Sequence, residues 1–214
     1  MSEMERLSVS AEQVRERLEA VDRAREGAYR LQREVTRLAA STIRAVHRGA
    51  FDEADQLLAD AAQLTRTMNE HARPSGEVYY SGFVMDAQKE FAEAALLLAI
   101  VAARPLPSPD ELGIEGAPYL NGLAEAGGEL RRSTLDALKA GDHTAAAWRL
   151  EALETIYHLL VTFDYPDAIA YGLKRRLDMV RGVLERTQSD VLTTIRQSEL
   201  QAALERLEAR LKDV

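Results

Sequence analysis

Apolar residues recur along most of this chain at spacings of three and four, the repeat of a helix with one buried face. The first stripe is Val14, Leu18, Val21, Ala28, Leu31, Val35, Leu38, Thr42 and Val46. It predicts a helix to about Arg48, capped by Ser8 or Ser10 and ended by Gly49. A second helix is expected over 51–72, with Ala54, Leu57, Leu58, Ala61, Leu64 and Met68 inward. A third is expected over 77–103. After Phe91 it is apolar on nearly every side, which calls for full burial in the bundle or at a subunit interface.

The segment RPLPSPDELGIEGAP reads as a loop. A fourth helix is expected from Pro118 to about Ala140, followed by a GDH turn in which Asp142 caps a fifth helix over 144–163. DYP ends that helix. A sixth is expected over 167–187 and a last over 189–212, the two forming one helix or two. All six prolines lie between positions 74 and 166, so the long stretches outside them are free of breakers. No alternating strand pattern, internal repeat or linker appears. The expectation is an all-α, single-domain bundle of about seven helices spanning 1–214.

Composition narrows the classes. With 46% hydrophobic and 29% charged residues the chain reads as globular. Its net charge of -8 argues against indiscriminate coating of nucleic acid. There are no cysteines, which removes disulfides, thiolate metal sites and a cysteine nucleophile and fits an intracellular, cytoplasmic protein. The N-terminus has no apolar signal segment. The longest apolar run, 91–103, is too short to span a bilayer and is broken by Glu93, so no membrane association is expected.

Two acidic pairs stand out. Glu90 and Glu93 lie in QKEFAEAALLLAIVAA, and Glu125 and Glu129 in YLNGLAEAGGELRR. Their spacings of three and four put each pair on one helix face, where like charges repel. A solvated acidic strip, with Lys89 pairing to Asp86 or Glu93, is one reading of the first pair. Glu93 resists it, because Leu97 and Ile100 share its face. For the second pair, Glu129 has Arg132 within reach at i+3 and Glu125 has no such partner. Gly122, Gly127 and Gly128 each cost a helix about 1 kcal/mol relative to alanine, and close approach of another helix is the natural reason for them. Two carboxylates from each of two packed helices would make an oxygen-rich site suited to Mg²⁺ or Mn²⁺. A di-iron site is disfavoured, since no Glu-x-x-His motif is present.

The first helix also carries Arg30, Arg33, Arg37, Arg44 and Arg48, the first four largely on one side. They form either a solvated face balanced by glutamates or a phosphate-contacting face. LKRRLDMVRG at 173–182 is a second basic stretch. Trp148, Tyr79 and Tyr80 are candidates for stacking on bases, although a lone helical tryptophan is more often core.

Two motifs resemble the translin family. LGIEGAPYLNGLAEAGGELRR (112–132) is similar to its LG-I turn, YL-x-G and GEL-R elements. FDYPDAIAYGLKRRLDMVRGVLER (163–186) resembles its F-Y/F-P element with a basic helix after it. The early helix ending in IRAVHRG also fits. The resemblance covers nearly the whole chain. It implies a seven-helix fold that assembles into ring or barrel octamers and binds single-stranded RNA or DNA. The family includes translin, without catalytic acids, and translin-associated factor X, in which four acids bind Mg²⁺ and cleave RNA. The Q-E-x-x-E-A element of the second type matches QKEFAEA, which carries Glu90 and Glu93, with Lys89 as an extra residue after Gln88. The acid-x-x-GEL element matches AEAGGEL, which carries Glu125 and Glu129; Glu125 stands where aspartate is usual. The resemblance therefore implies a Mg²⁺-dependent endoribonuclease using these four glutamates, with the first-helix arginines holding a single RNA strand in an electropositive cavity. A non-catalytic single-strand-binding oligomer is the alternative, and a purely structural helical oligomer a third.

Overall fold

In a computed structural model, described over residues 2–212, the chain is helical throughout, with no strand among the described residues. Six long helices carry the fold: α1 (Glu3–His47), α2 (Phe51–Ala72), α4 (Gly82–Val101), α6 (Gly116–Lys139), α7 (His143–Leu160) and α9 (Leu173–Lys212). Three single turns sit between them: α3 (Gly76–Tyr79), α5 (Pro109–Leu112) and α8 (Asp167–Ala170).

The start of α1 differs from expectation. Ser2, not Ser8 or Ser10, caps it, in a reciprocal capping box with Glu5. Nothing between Ser2 and Gly49 interrupts the helix, so the earliest good cap wins. The stripe of its first half is not core: Val14 and Leu18 are exposed, because no other helix reaches them, and burial begins at Ala24. The expected third helix is two. Ser81 takes an extended backbone and donates its hydroxyl to the Val78 carbonyl at 2.6 Å, closing one turn before α4 starts. Within the proline-rich loop, Ser108 and Glu111 form a second capping box around Pro109, and Gly113 ends that turn with a left-handed backbone.

Asp142 caps α7 by accepting from the Ala145 N–H at 2.9 Å, as its sequence predicts. The sixth expected helix is broken at Tyr171 and Gly172, both with positive φ. The sixth and last then run as a single helix, α9, since 173–212 contains no breaker. Its buried positions stop at Val191, and Leu200, Leu204 and Leu207 are exposed.

α4 is the central element. It packs on α1, α2 and α6, while α7 and α9 close the far side of α6. Every residue from Phe91 to Ile100 is buried within this one chain. Phe91, Leu96, Leu97 and Leu98 each contribute about 2–3 kcal/mol through apolar burial. No described helix is long and apolar enough to cross a membrane.

Candidate metal centre

The site lies where α4 crosses α6, and a missing side chain makes that crossing possible. A Cβ on Gly122 would come within 2.7 Å of the Lys89 carbonyl oxygen, 2.7 Å of the Ala92 Cβ and 2.9 Å of the Glu93 amide nitrogen. Only glycine permits the two backbones to approach so closely. Gly127 faces the Leu153 methyl at 3.2 Å from its would-be Cβ, so it admits α7. Gly128 has only the end of Met179 near it, at 3.9 Å, and close packing does not explain it.

Glu125 lies one turn beyond Gly122 on the same face of α6, opposite Glu90 and Glu93 of α4. One carboxylate oxygen from each of Glu90, Glu93 and Glu125 falls within 4.8 Å of the others. The structure thus brings three of the four predicted acids together. Glu129 stands aside from that trio: its carboxylate oxygen is 2.6 Å from Nε2 of His47, in the last turn of α1. The His47 side chain is only 3% exposed, and its Nδ1 is buried without a hydrogen-bond partner among the described residues.

Two cations join the acids. Lys89 is buried and donates to Glu90 at 2.8 Å and to Glu125 at 2.7 Å. This corrects the expected pairing with Asp86 or Glu93. Arg176, in the first turn of α9, donates through Nε to the other oxygen of Glu125 at 2.7 Å. Its Nη1 reaches Asn121 Oδ1 at 3.1 Å and the Tyr171 carbonyl at 3.2 Å. Asn121 in turn donates to the Ala170 carbonyl at 2.9 Å, so the α8–α9 turn is pinned to α6. Glu125, which has no partner in its own helix, has two from elsewhere. A cleft of about 250 Å³, lined by Glu125, Arg175, Arg176 and Met179, opens beside it.

Protonation follows from these partners. Burial opposes the charge on Glu125, but the hydrogen bonds from Lys89 and Arg176 outweigh it and hold the carboxyl below the ordinary range. The His47 contact does the same for Glu129. For Lys89, burial acts against the ammonium, and the bonds to Glu125 and Glu90 more than compensate. Glu93 is different. Only 7% exposed, it makes no side-chain hydrogen bond or ion pair among the described residues. Burial, then the charges of Glu125, Glu90 and Glu129, push its carboxyl up to about 8, against some relief from Lys89. A buried carboxylate facing three others and lacking a partner is stable when ionised only if a further cation is present. The donor set is all oxygen, so it fits Mg²⁺ or Mn²⁺.

The five arginines predicted to hold nucleic acid are all exposed, Arg30, Arg33, Arg37 and Arg44 on α1 and Arg48 as its C-terminal cap. Arg37 pairs with Glu34 and Arg48 with Glu53, Arg44 bonds Ser41, and Arg33 lies over the Tyr29 ring. Exposed pairs of this kind are worth about 0–1 kcal/mol and exchange readily for other anions. Arg44 and Arg48 flank His47, so the basic face runs into the acidic site along one helix. Among the aromatics, Tyr79 is buried and bonded to Glu115, whereas Tyr80 and, contrary to the core reading, Trp148 are exposed.

The residues that sequence reasoning did not assign to the site are His47, Lys89 as a ligand of Glu125, and Arg176. The available signals were a lysine two residues before an apolar run and arginines in LKRR; neither says which acid is reached.

Comparison with known proteins places this geometry in a family. No family model matches the chain. The uncharacterized protein MJ0175 of Methanocaldococcus jannaschii is 31% identical over 191 residues, covering 89% of this chain and 85% of that protein. The crystal structure of AfC3PO is 34% identical with a TM-score of 0.81, covering 88% of this chain and 98% of that one. A complex of AfC3PO with duplex RNA is 33% identical with a TM-score of 0.79, covering 88% and 97%. Apo-NeC3PO, at 21% identity and a TM-score of 0.76, shares the fold. C3PO denotes the complex of translin with translin-associated factor X, and its solved structures match this chain over nearly their whole length, so the chain belongs to the translin family, in its factor X-like branch.

Proposed function

We propose that this protein is a metal-dependent endoribonuclease whose carboxylate centre at the α4–α6 crossing holds Mg²⁺ or Mn²⁺. The observation that carries the reading is Glu93: a buried, unpartnered carboxyl within reach of Glu90 and Glu125. Glu90, Glu93 and Glu125 would hold the ion, and Glu129 would complete the set from the next turn of α6. Such an ion supplies an activated water and neutralises charge on a phosphodiester undergoing hydrolysis. The protein's own contribution is to fix the donors. Gly122 sets the helix separation, His47 orients Glu129, and Arg176 orients Glu125. Arg175 and Arg176 line the adjoining cleft, where a phosphate of the substrate would sit beside the carboxylates.

RNA as substrate is supported by the AfC3PO complex with duplex RNA and by the exposed arginines of α1. The strand preferred for cleavage is single, because an attacking group reaches a flexible phosphodiester in line more easily than one held in a duplex. Assembly into a homo-oligomer, an octamer by family resemblance, would bring several such basic faces around one enclosed space and reconcile RNA binding with a net charge of -8. Single-stranded DNA would bind the same arginines.

The test is cleavage of end-labelled single-stranded and duplex RNA in Mg²⁺ or Mn²⁺ by wild type, Glu93→Gln and Glu129→Ala. The expected result is cleavage of the single strand by wild type and a loss of about a hundredfold or more in both variants. Equal degradation by all three refutes the assignment. Binding that persists in EDTA, with no cleavage in any divalent ion, identifies a non-catalytic RNA-binding protein instead.

A further inference from the structure

Lys89 is an unusual component for a divalent-ion site. Its ammonium does not point to solvent: the side chain is 8% exposed and the group bridges Glu90 of its own helix and Glu125 of α6. A lysine ammonium is a compact point charge with three donors. Two are taken by carboxylates that also belong to the metal-ligand trio. Arg176 takes the remaining oxygen of Glu125. The trio and Glu129 one turn further along α6, if ionised and alone, would match the charge of two divalent ions, the arrangement of two-metal phosphodiesterase sites. Lys89 and Arg176 meet two of those four charges and His47 holds Glu129, so the charge left over is at most that of one divalent ion. Within the trio, Glu93 is the carboxylate left without a hydrogen bond among the described residues.

We propose that Lys89 is a resident cation of this centre, standing where a second divalent ion would stand, so that each chain binds one divalent ion beside the ammonium. This rests on the metal reading above. Lys89 is then a positioning residue: it holds Glu90 and Glu125 at a fixed separation across the helix crossing and lowers the field available to an incoming ion. Removing its charge while keeping its apolar stem, as in Lys89→Met, frees two carboxylates for metal. Lys89→Arg keeps the charge.

The experiment is Mn²⁺ titration of the full chain, wild type, K89M and K89R, followed calorimetrically and by the electron paramagnetic resonance of free Mn²⁺, with thermal unfolding in EDTA and in Mn²⁺ alongside. Wild type and K89R are expected to bind one Mn²⁺ per chain. K89M is expected to bind a second ion, or to bind the first at least tenfold more tightly. Its melting temperature should fall in EDTA, where Glu90 and Glu125 are left to repel, and rise more than that of wild type on adding Mn²⁺. Should K89M be unfolded in EDTA, recovery of its helix signal by Mn²⁺ counts for the proposal. Two ions per wild-type chain, or unchanged affinity and stoichiometry in K89M, overturns it while leaving the metal site standing. No Mn²⁺ binding by any of the folded proteins removes the metal reading itself, and this inference with it.

Discussion

Replacing Glu93 by glutamine tests the centre without any substrate. In the ion-free protein the folded carboxyl titrates near 8, against an ordinary 4.5. Between those values the folded chain keeps a proton that the unfolded chain has lost, so the unfolded state binds fewer protons and stability falls as pH rises. The contribution is fully present below pH 4.5 and is lost by the time pH has passed through 8. Each pH unit in that window removes about 1.4 kcal/mol, so this one carboxyl costs roughly 2 to 5 kcal/mol across it, the smaller figure allowing for water entering the site. Glutamine has almost the same shape and cannot ionise. Urea unfolding in EDTA, at half-unit steps from pH 4 to pH 9, should therefore show Glu93→Gln gaining on wild type steadily from pH 4.5 and levelling off above pH 8. Saturating Mn²⁺ at pH 8 should reverse the order, since it stabilises only a protein that binds it. Curves for the two proteins that run parallel in EDTA over the whole range would refute the argument that Glu93 is buried without a counter-charge. The lowered carboxyls of Glu125 and Glu129 do not confuse the test, because their contribution is present above pH 4.5 and is lost only as pH falls below it.

Other expectations follow from the same geometry. Gly122→Ala should destabilise the protein by about 1–3 kcal/mol in thermal or urea unfolding, because its Cβ meets backbone atoms of α4; Mn²⁺ affinity should fall with it. Gly128→Ala, whose Cβ would meet only the end of Met179 at ordinary van der Waals distance, should be neutral or stabilising by up to about 1 kcal/mol. His47→Ala should cost about 1–3 kcal/mol at neutral pH by stranding Glu129, and His47→Gln, which retains a donor, should recover part of it in the same unfolding assay. Neutralising Arg30, Arg33, Arg37, Arg44 and Arg48 one at a time should flatten the salt dependence of single-strand binding, read by fluorescence anisotropy, by about 0.7 in log–log slope for each arginine that contacts phosphate. A slope unchanged in all five variants would remove the α1 face from the binding surface.

Much of this molecule is legible in its periodicity. The bounds of α2, the full burial of α4 from Phe91 to Ile100, the Asp142 cap and the use of glycine at the α4–α6 crossing all follow from local spacing and from the cost of glycine in a helix. These are properties of one turn at a time, and one turn is what four or five neighbouring residues dictate. Periodicity also assigns Val14 and Leu18 to an apolar face, yet among the described residues no helix lies upon that face. A stripe says which side of a helix is apolar; only the packing says whether anything covers it.

The site divides along the same line. The spacing of Glu90 with Glu93, and of Glu125 with Glu129, identifies the acids and the helix faces that carry them. Their partners belong to the tertiary structure alone. Lys89 reaches Glu125 across 36 residues, Arg176 reaches it across 51, and His47 reaches Glu129 across 82. No periodic pattern encodes which of 27 lysines and arginines will stand beside a given acid. That depends on where helices cross, on how closely Gly122 lets them approach, and on which side chains the surrounding burial forces to find a counter-charge. The sequence by itself determined that four carboxylates would share two helix faces; the fold decided that three would converge, that two cations would neutralise part of their charge, and that Glu93 would be left without a partner.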